Sequence, residues 1–82
     1  MSFLKKISLI HLYRGYVVHM VFYWAKTSDI APSYVHIVED GKIKSSDDYA
    51  VRLTGPWADF LSALVETVTT ADRYIDSQLD CH

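Results

Sequence analysis

Hydrophobic and polar positions along this chain change rhythm once. From Phe3 to Leu53 they alternate or run together in short blocks, and from Trp57 onward they recur every three or four positions. Phe3 to Leu12 is largely β-branched or apolar. Arg14-Gly15 interrupts, and Tyr16 to Ala25 follows with Tyr, Val, Phe and Trp throughout. Two such runs around a glycine-containing break predict a β-hairpin. With Arg14-Gly15 as a two-residue loop, Tyr13 faces Tyr16, Ile10 faces His19 and Lys6 faces Tyr23. Strands send alternate side chains to opposite faces. Tyr16, Val18, Met20, Phe22 and Trp24 therefore share one face, and Val17, His19, Val21 and Tyr23 the other. The first set is wholly apolar and is assigned to the core.

Lys26 to Pro32 is polar, ends in proline and reads as a loop. Tyr34 to Glu39 resumes the alternation, with Val35 and Ile37 on one side and Tyr34 and His36 on the other. Asp40-Gly41 signals a second hairpin, because a type I′ turn needs positive φ at both central residues. Ile43-Lys44 then begins a fourth strand. Ser45 to Asp48 fits either a bulged strand or a short helix capped by Ser46, and the alternation of Tyr49 to Leu53 favours strand. In the last third, Thr54 or Gly55 can cap a helix with Pro56 in its first turn. Trp57, Phe60, Leu61, Leu64, Val68, Ala71, Ile75 and Leu79 form one stripe at 100° per residue. Asp59, Ser62, Glu66, Thr70, Arg73, Asp76 and Asp80 fall opposite, as on a surface helix with one buried side. Thr67 to Thr70 is rich in β-branched residues and is the place for a kink or a split. Unbroken, about 24 residues give a helix near ~36 Å. The expected fold is α+β: one domain over residues 1–82, an antiparallel sheet of about four strands, and a C-terminal amphipathic helix, whole, kinked or split in two, on one face.

At 82 residues the chain has room for one core and little for an enclosed active site. With 13% aromatic residues it has enough to bury, which argues against disorder. A net charge of −2 and a pI near 6.0 give no electrostatic footprint for nucleic acid or anionic membrane. The single cysteine, Cys81, cannot close an intrachain disulfide, which fits a reducing cytoplasm. Lys5-Lys6 before the apolar run Ile7 to Trp24 has the outline of a membrane anchor. The run contains His11, Arg14, Gly15 and His19, however, and a central arginine alone costs roughly 2.5–3.5 kcal/mol on insertion. No membrane association is expected.

One helix covers one face of the sheet. The opposite face carries Ile10, Leu12, Val17, Val21, Tyr23, Tyr34 and Val38, too apolar a set for simple solvation. Such a patch marks a protein-contact site, either for a second copy of the chain or for a foreign partner. Lys6, His19, Val21, Tyr23, Tyr34 and His36 are its candidate contact residues. Other chemistry is weakly supported. A zinc site needs three or four converging ligands, and His11, His19, His36 and His82 lack metal-ligand spacing. Cys81-His82 has nothing to orient it as a nucleophile and base. Asp47 and Asp48, adjacent on a strand, point to opposite faces and form no acid–base pair. No cofactor, metal or enzymatic activity is expected. The acids crowd the later half, and an acidic surface can mimic a phosphate backbone, although a solvated helix face explains them as well.

One family shares several of these features. Met1-Ser2-Phe3-Leu4-Lys5-Lys6-Ile7-Ser8 followed by His11-Leu12 resembles the opening of the first-described type I-F anti-CRISPR proteins, which are small and phage-encoded. Val35-His36-Ile37-Val38-Glu39-Asp40-Gly41-Lys42 is similar to their third-strand hairpin, and the run around Ala71 and Ile75 to their last helix. The resemblance implies a non-enzymatic inhibitor in the cytoplasm of an infected bacterium. Such inhibitors bind the repeated backbone subunits of a CRISPR surveillance complex, with no direct nucleic-acid contact, and block target DNA from pairing with the guide RNA. The family's contact positions are a tyrosine, a second tyrosine and a glutamate. Lys6, Tyr23 and His36 stand there in this chain, so two of the three depart, and the family's glycine-rich helical loop is missing. The alternative is a homodimeric phage accessory module packed through its open sheet face.

Overall fold

A computed structural model describes residues 5–26, 29–40 and 49–80. β1 (Lys5–Tyr13), β2 (Tyr16–Trp24), β3 (Tyr34–Glu39) and β4 (Val51–Thr54) form one antiparallel sheet in the order β1-β2-β3-β4. The helix α1 (Phe60–Asp80) packs on one face of it, as expected of an α+β domain. Arg14 and Gly15 both have positive φ, 54° and 83°, the requirement of a two-residue type I′ turn. That turn pairs Tyr13 with Tyr16, Ile10 with His19 and Lys6 with Tyr23, the predicted register. β3 continues it with Val21 opposite His36 and Tyr23 opposite Tyr34. β4 places Arg52 opposite His36. The Asp40-Gly41 turn, the Ile43-Lys44 strand start and Ser45 to Asp48 fall outside the described residues beyond Asp40, and Val51 to Leu53 is strand.

The core forms in two stretches along α1. Met20, Phe22, Trp24, Val35 and Ala63 bury together near its start, with Leu64 and Val68 packed against them. Val18, Ile37, Ala71 and Ile75 bury together further along. Phe60 closes the first stretch, with its ring 5.0 Å from Phe22 and 5.8 Å from Trp24. Tyr16, also assigned to this face, is 48% exposed.

Two features of the helix differ from expectation, and a third decides between open alternatives. It begins at Phe60 and not at Pro56. The Asp59 carboxylate accepts a 2.8 Å hydrogen bond from the Ser62 amide, so Asp59 is the N-cap that satisfies a free first-turn donor. Trp57 precedes the helix, packs on the core, and donates its indole N–H to Glu66 at 3.1 Å. The stretch before it is tight, since a Cβ on Gly55 would sit 2.9 Å from the Trp57 amide nitrogen. Second, the buried stripe is rotated. Ala63, Thr67, Ala71 and Ile75 face the sheet, while Leu61, placed in the stripe by its hydrophobicity, is 64% exposed. Small residues at the contact line let the helix approach the sheet closely, leaving Leu64 and Val68 on its flanks. Third, the helix runs unbroken for 21 residues, about 31 Å. Thr67 and Thr69 bond back to the carbonyls of Ala63 and Val65 at 2.7 and 2.9 Å, so their hydroxyls find partners within the helix.

A polar seam ties the first hairpin to α1. His11 Nε2 lies 2.6 Å from the Asp72 carboxylate, and Tyr13 and Arg14 both donate to Asp76, at 3.2 and 2.6 Å.

The rotated stripe has a direct test. Ile75→Ala should destabilise the protein by about 2–5 kcal/mol, as truncations in a filled core do. Leu61→Ala should stay within about 0.5 kcal/mol, as exposed substitutions do. Chemical denaturation of the two variants measures both.

Candidate functional site

The period of two sends every second side chain to the face away from α1. β1 contributes Lys6, Ser8, Ile10 and Leu12, β2 Val17, His19, Val21 and Tyr23, and β3 Tyr34, His36 and Val38. The six candidate contact residues, Lys6, His19, Val21, Tyr23, Tyr34 and His36, are thus brought to one surface. Lys6 is exposed directly across from Tyr23. His19 is fixed by a 2.9 Å contact between its Nε2 and the Asp40 carboxylate.

The centre of that face is not open. Tyr23 is 8% exposed and His36 is 7% exposed, and Val21 and Val38 are buried beside them. Tyr23, read from the sequence as a contact residue of this patch, is therefore largely covered by its own neighbours. Its ring stacks on Tyr34 at 4.7 Å and meets His36 edge-on at 5.0 Å. Burial first, and Tyr34 second, push the Tyr23 phenol above its ordinary range, so it is a neutral hydrogen-bonding group at physiological pH.

Two contributors escaped the sequence reading. Tyr49 stacks on His36 at 4.2 Å and is 42% exposed. Arg52 lies over the Tyr34 ring at 4.8 Å and is exposed. Both follow the Asp40-Gly41 turn, where no register was available to align them. Arg52 is legible in retrospect, because the alternation Val51-Arg52-Leu53 sends it to the face opposite the two apolar residues. The result is an aromatic cluster with Tyr23 and His36 beneath and Tyr34, Tyr49 and Arg52 toward solvent. Such a cluster can stack on a partner's aromatic ring or guanidinium and pair Arg52 with a carboxylate. Ile10 and Leu12, 70% and 66% exposed, form a separate apolar strip on β1.

A second concavity, about 330 Å³, lies between the Arg14-Gly15 turn and the last turns of α1, lined by Gly15, Glu39, Asp40, Tyr74 and Gln78 among others. Burial, then a hydrogen bond to the Glu39 carboxylate, push the Tyr74 phenol up to about 12. Among the described residues, no three His, Cys, Asp or Glu side chains converge to hold a metal ion. Cys81-His82 and Asp47-Asp48 lie outside those residues. Glu66, set on the solvated helix side by its spacing, is the acceptor for Trp57. No described helix is long and apolar enough to cross a membrane.

No family model matches this chain, and no curated protein or solved structure matches it either.

Folding favours the protonated form of Tyr74, because its phenol titrates higher in the folded state than at the ordinary 10.0. Its contribution to stability is therefore fully present below pH 10 and is lost as pH rises toward about 12. Tyr13 and Tyr23 are shifted in the same direction. Tyr74→Phe should flatten, without abolishing, the fall in stability over that alkaline window, as measured by urea unfolding at stepped pH.

Proposed function

We propose that this chain is a non-enzymatic protein-binding inhibitor that works through the helix-free face of its sheet. In the manner of the anti-CRISPR family it resembles, it binds backbone subunits of a type I CRISPR surveillance complex in an infected bacterial host and hinders target DNA from pairing with the guide. The observation that carries this reading is the aromatic cluster on that face, a braced set of rings with a cation on top. Interfaces concentrate their energy in a few aromatic and arginine anchors held in place by their neighbours. The positions matched to the family's contacts support the same face. Lys6 is the cross-strand partner of Tyr23, and Tyr23 touches the ring of His36.

Burial divides the labour within the cluster. Tyr23 and His36 set the shape from beneath, and Tyr34, Tyr49 and Arg52 offer the contact. With Lys6 and Arg52 at its borders, the face suits a partner surface that is aromatic or acidic. The departures from the family at Lys6 and His36 fit a partner surface different from the family's own. Face-to-face homodimerisation through the same surface is the alternative.

Titration of purified type I surveillance complexes of several subtypes tests this function. Arg52→Glu or Tyr49→Ala should weaken binding by about 2 kcal/mol, roughly 30-fold, the size of a hot-spot loss. The melting temperature of either variant should change little. Tyr23→Ala should lower binding and stability together. If no complex binds the wild type, the inhibitor reading is wrong. If Arg52→Glu binds unchanged, the working surface lies elsewhere.

A further inference from the structure

β1 is the first strand of the sheet, and among the described residues no strand pairs with its outer side. The hairpin decides which of its backbone groups are left over. Tyr13 and Tyr16 flank the two-residue turn and are a hydrogen-bonded pair. Counting back by twos, Ile7, Leu9 and His11 also spend their N–H and C=O groups on β2. The amides and carbonyls of Lys6, Ser8, Ile10 and Leu12 therefore point outward. An unpaired strand nine residues long, without proline or bulge, is a template for another strand. Natural edges are usually guarded by charge. Here the charges, Lys5 and Lys6, stand at one end only, and the other end carries exposed Ile10 and Leu12.

Apolar surface borders the same edge on the helix side. Asp72 and Asp76 reach His11, Tyr13 and Arg14, so their side of α1 overhangs β1. At 100° per residue Leu61 and Val65 lie on that side too, and both are exposed. The start of α1 sits by Trp24, which is opposite Lys5, so Leu61 and Val65 flank the lysine end of the strand and the aspartates flank the other.

From this arrangement we infer that β1 pairs antiparallel with β1 of a second copy of the chain, joining two sheets into one. A two-fold axis perpendicular to the sheet at Leu9 sets Lys6 opposite Leu12 and Ser8 opposite Ile10 of the second copy. All the outward backbone groups of those four residues then pair, in the isologous manner of a two-fold dimer. Charge selects this occupant. The same axis sets Lys5, on the helix side, opposite Tyr13 of the second copy, whose hydroxyl donates to Asp76. The lysine end thereby meets an end where Asp72, Asp76 and Asp80 outnumber Arg14. A parallel pairing would set lysines against lysines. On the open face the methylenes of Lys6 cover Leu12 of the second copy, with the ammonium in water. This pairing is independent of what the aromatic cluster binds.

Sedimentation of the full chain at tens of micromolar tests it. The wild type should run as a dimer. Ser8→Pro removes one outward N–H without touching a bond to β2, and proline is tolerated at such edge positions. It should halve the mass while leaving the far-ultraviolet circular dichroism unchanged. Ile10→Lys, at an exposed site that needs no backbone change, should weaken the dimer as well, and Ile30→Lys, equally exposed but on the connection between β2 and β3, should leave it intact. Amide exchange on the wild type should slow at Lys6, Ser8, Ile10 and Leu12 as concentration rises. A wild type that stays monomeric overturns the inference. So does a dimer whose outward β1 amides exchange freely, or one that survives both edge variants, which would place the contact on another surface.

Discussion

The Arg14-Gly15 turn decides which side of the sheet each side chain of β1 and β2 occupies, and most of the molecule follows from that choice. Because strand side chains repeat with a period of two, a slip of one residue would exchange the faces. Phe22 and Trp24 would leave the helix, and Tyr23 would enter the core. The turn is held by more than its own geometry. Arg14 carries a positive φ, a conformation that costs a non-glycine residue about 1–2 kcal/mol. The same arginine donates to Asp76 on α1 at 2.6 Å, beside Tyr13. The residue that takes the unfavourable backbone angle is thus one that fastens the hairpin to the helix, so register and helix docking support each other.

With the register fixed, β2 becomes a strand buried on both sides. Val18, Met20, Phe22 and Trp24 pack against α1, while Val21 and Tyr23 pack into the cluster with Val38 and Tyr34. A strand buried on both faces reads as a continuous apolar run and not as an alternation. β2 supplies the second half of the stretch from Ile7 to Trp24 that has the outline of a membrane anchor, and Arg14-Gly15 in its middle is the turn of a hairpin.

The sheet was legible in the sequence wherever a turn fixed its register. β1 and β2 and their facing pairs follow from Arg14-Gly15, and β3 follows as an element from the alternation of Tyr34 to Glu39, whereas its pairing with β2 is set across a long loop and has no spacing rule. The helix was legible as an element but not in its rotation. Hydrophobicity favours Leu61 over Ala63 or Thr67, whereas the close approach of helix to sheet favours the small residues. Its start was misread because Pro56 is a common first-turn residue, while the Asp59 side chain forms the cap. The candidate site was legible as a set of residues sharing a face. Its depth was not, because the burial of Tyr23 depends on Tyr34 and His36 leaning over it, and no spacing rule gives a side chain's tilt. Tyr49 and Arg52 were missed for want of a register across the second turn.

Burial at the middle of the helix-free face bears on what the proposed contact would cost in side-chain ordering. Contact surfaces lose affinity to the ordering of side chains on association. Rings already stacked at 4.2 to 4.7 Å, with a guanidinium resting on them, have little freedom left to lose. The cluster spans β2, β3, β4 and the approach to β4, whereas the exposed strip of Ile10 and Leu12 lies on β1, so the two proposed contact regions lie toward opposite borders of the sheet. Pairing through the β1 edge would consume only the second. It would carry both clusters to the same side of a continuous sheet, since a two-fold perpendicular to the sheet keeps the two helices together on the other. Five strand spacings then separate the two β3 strands, about 24 Å. A rigid pair of identical sites at a fixed spacing gains on any partner that offers two matching sites, because the second contact forms at high effective concentration once the first is made.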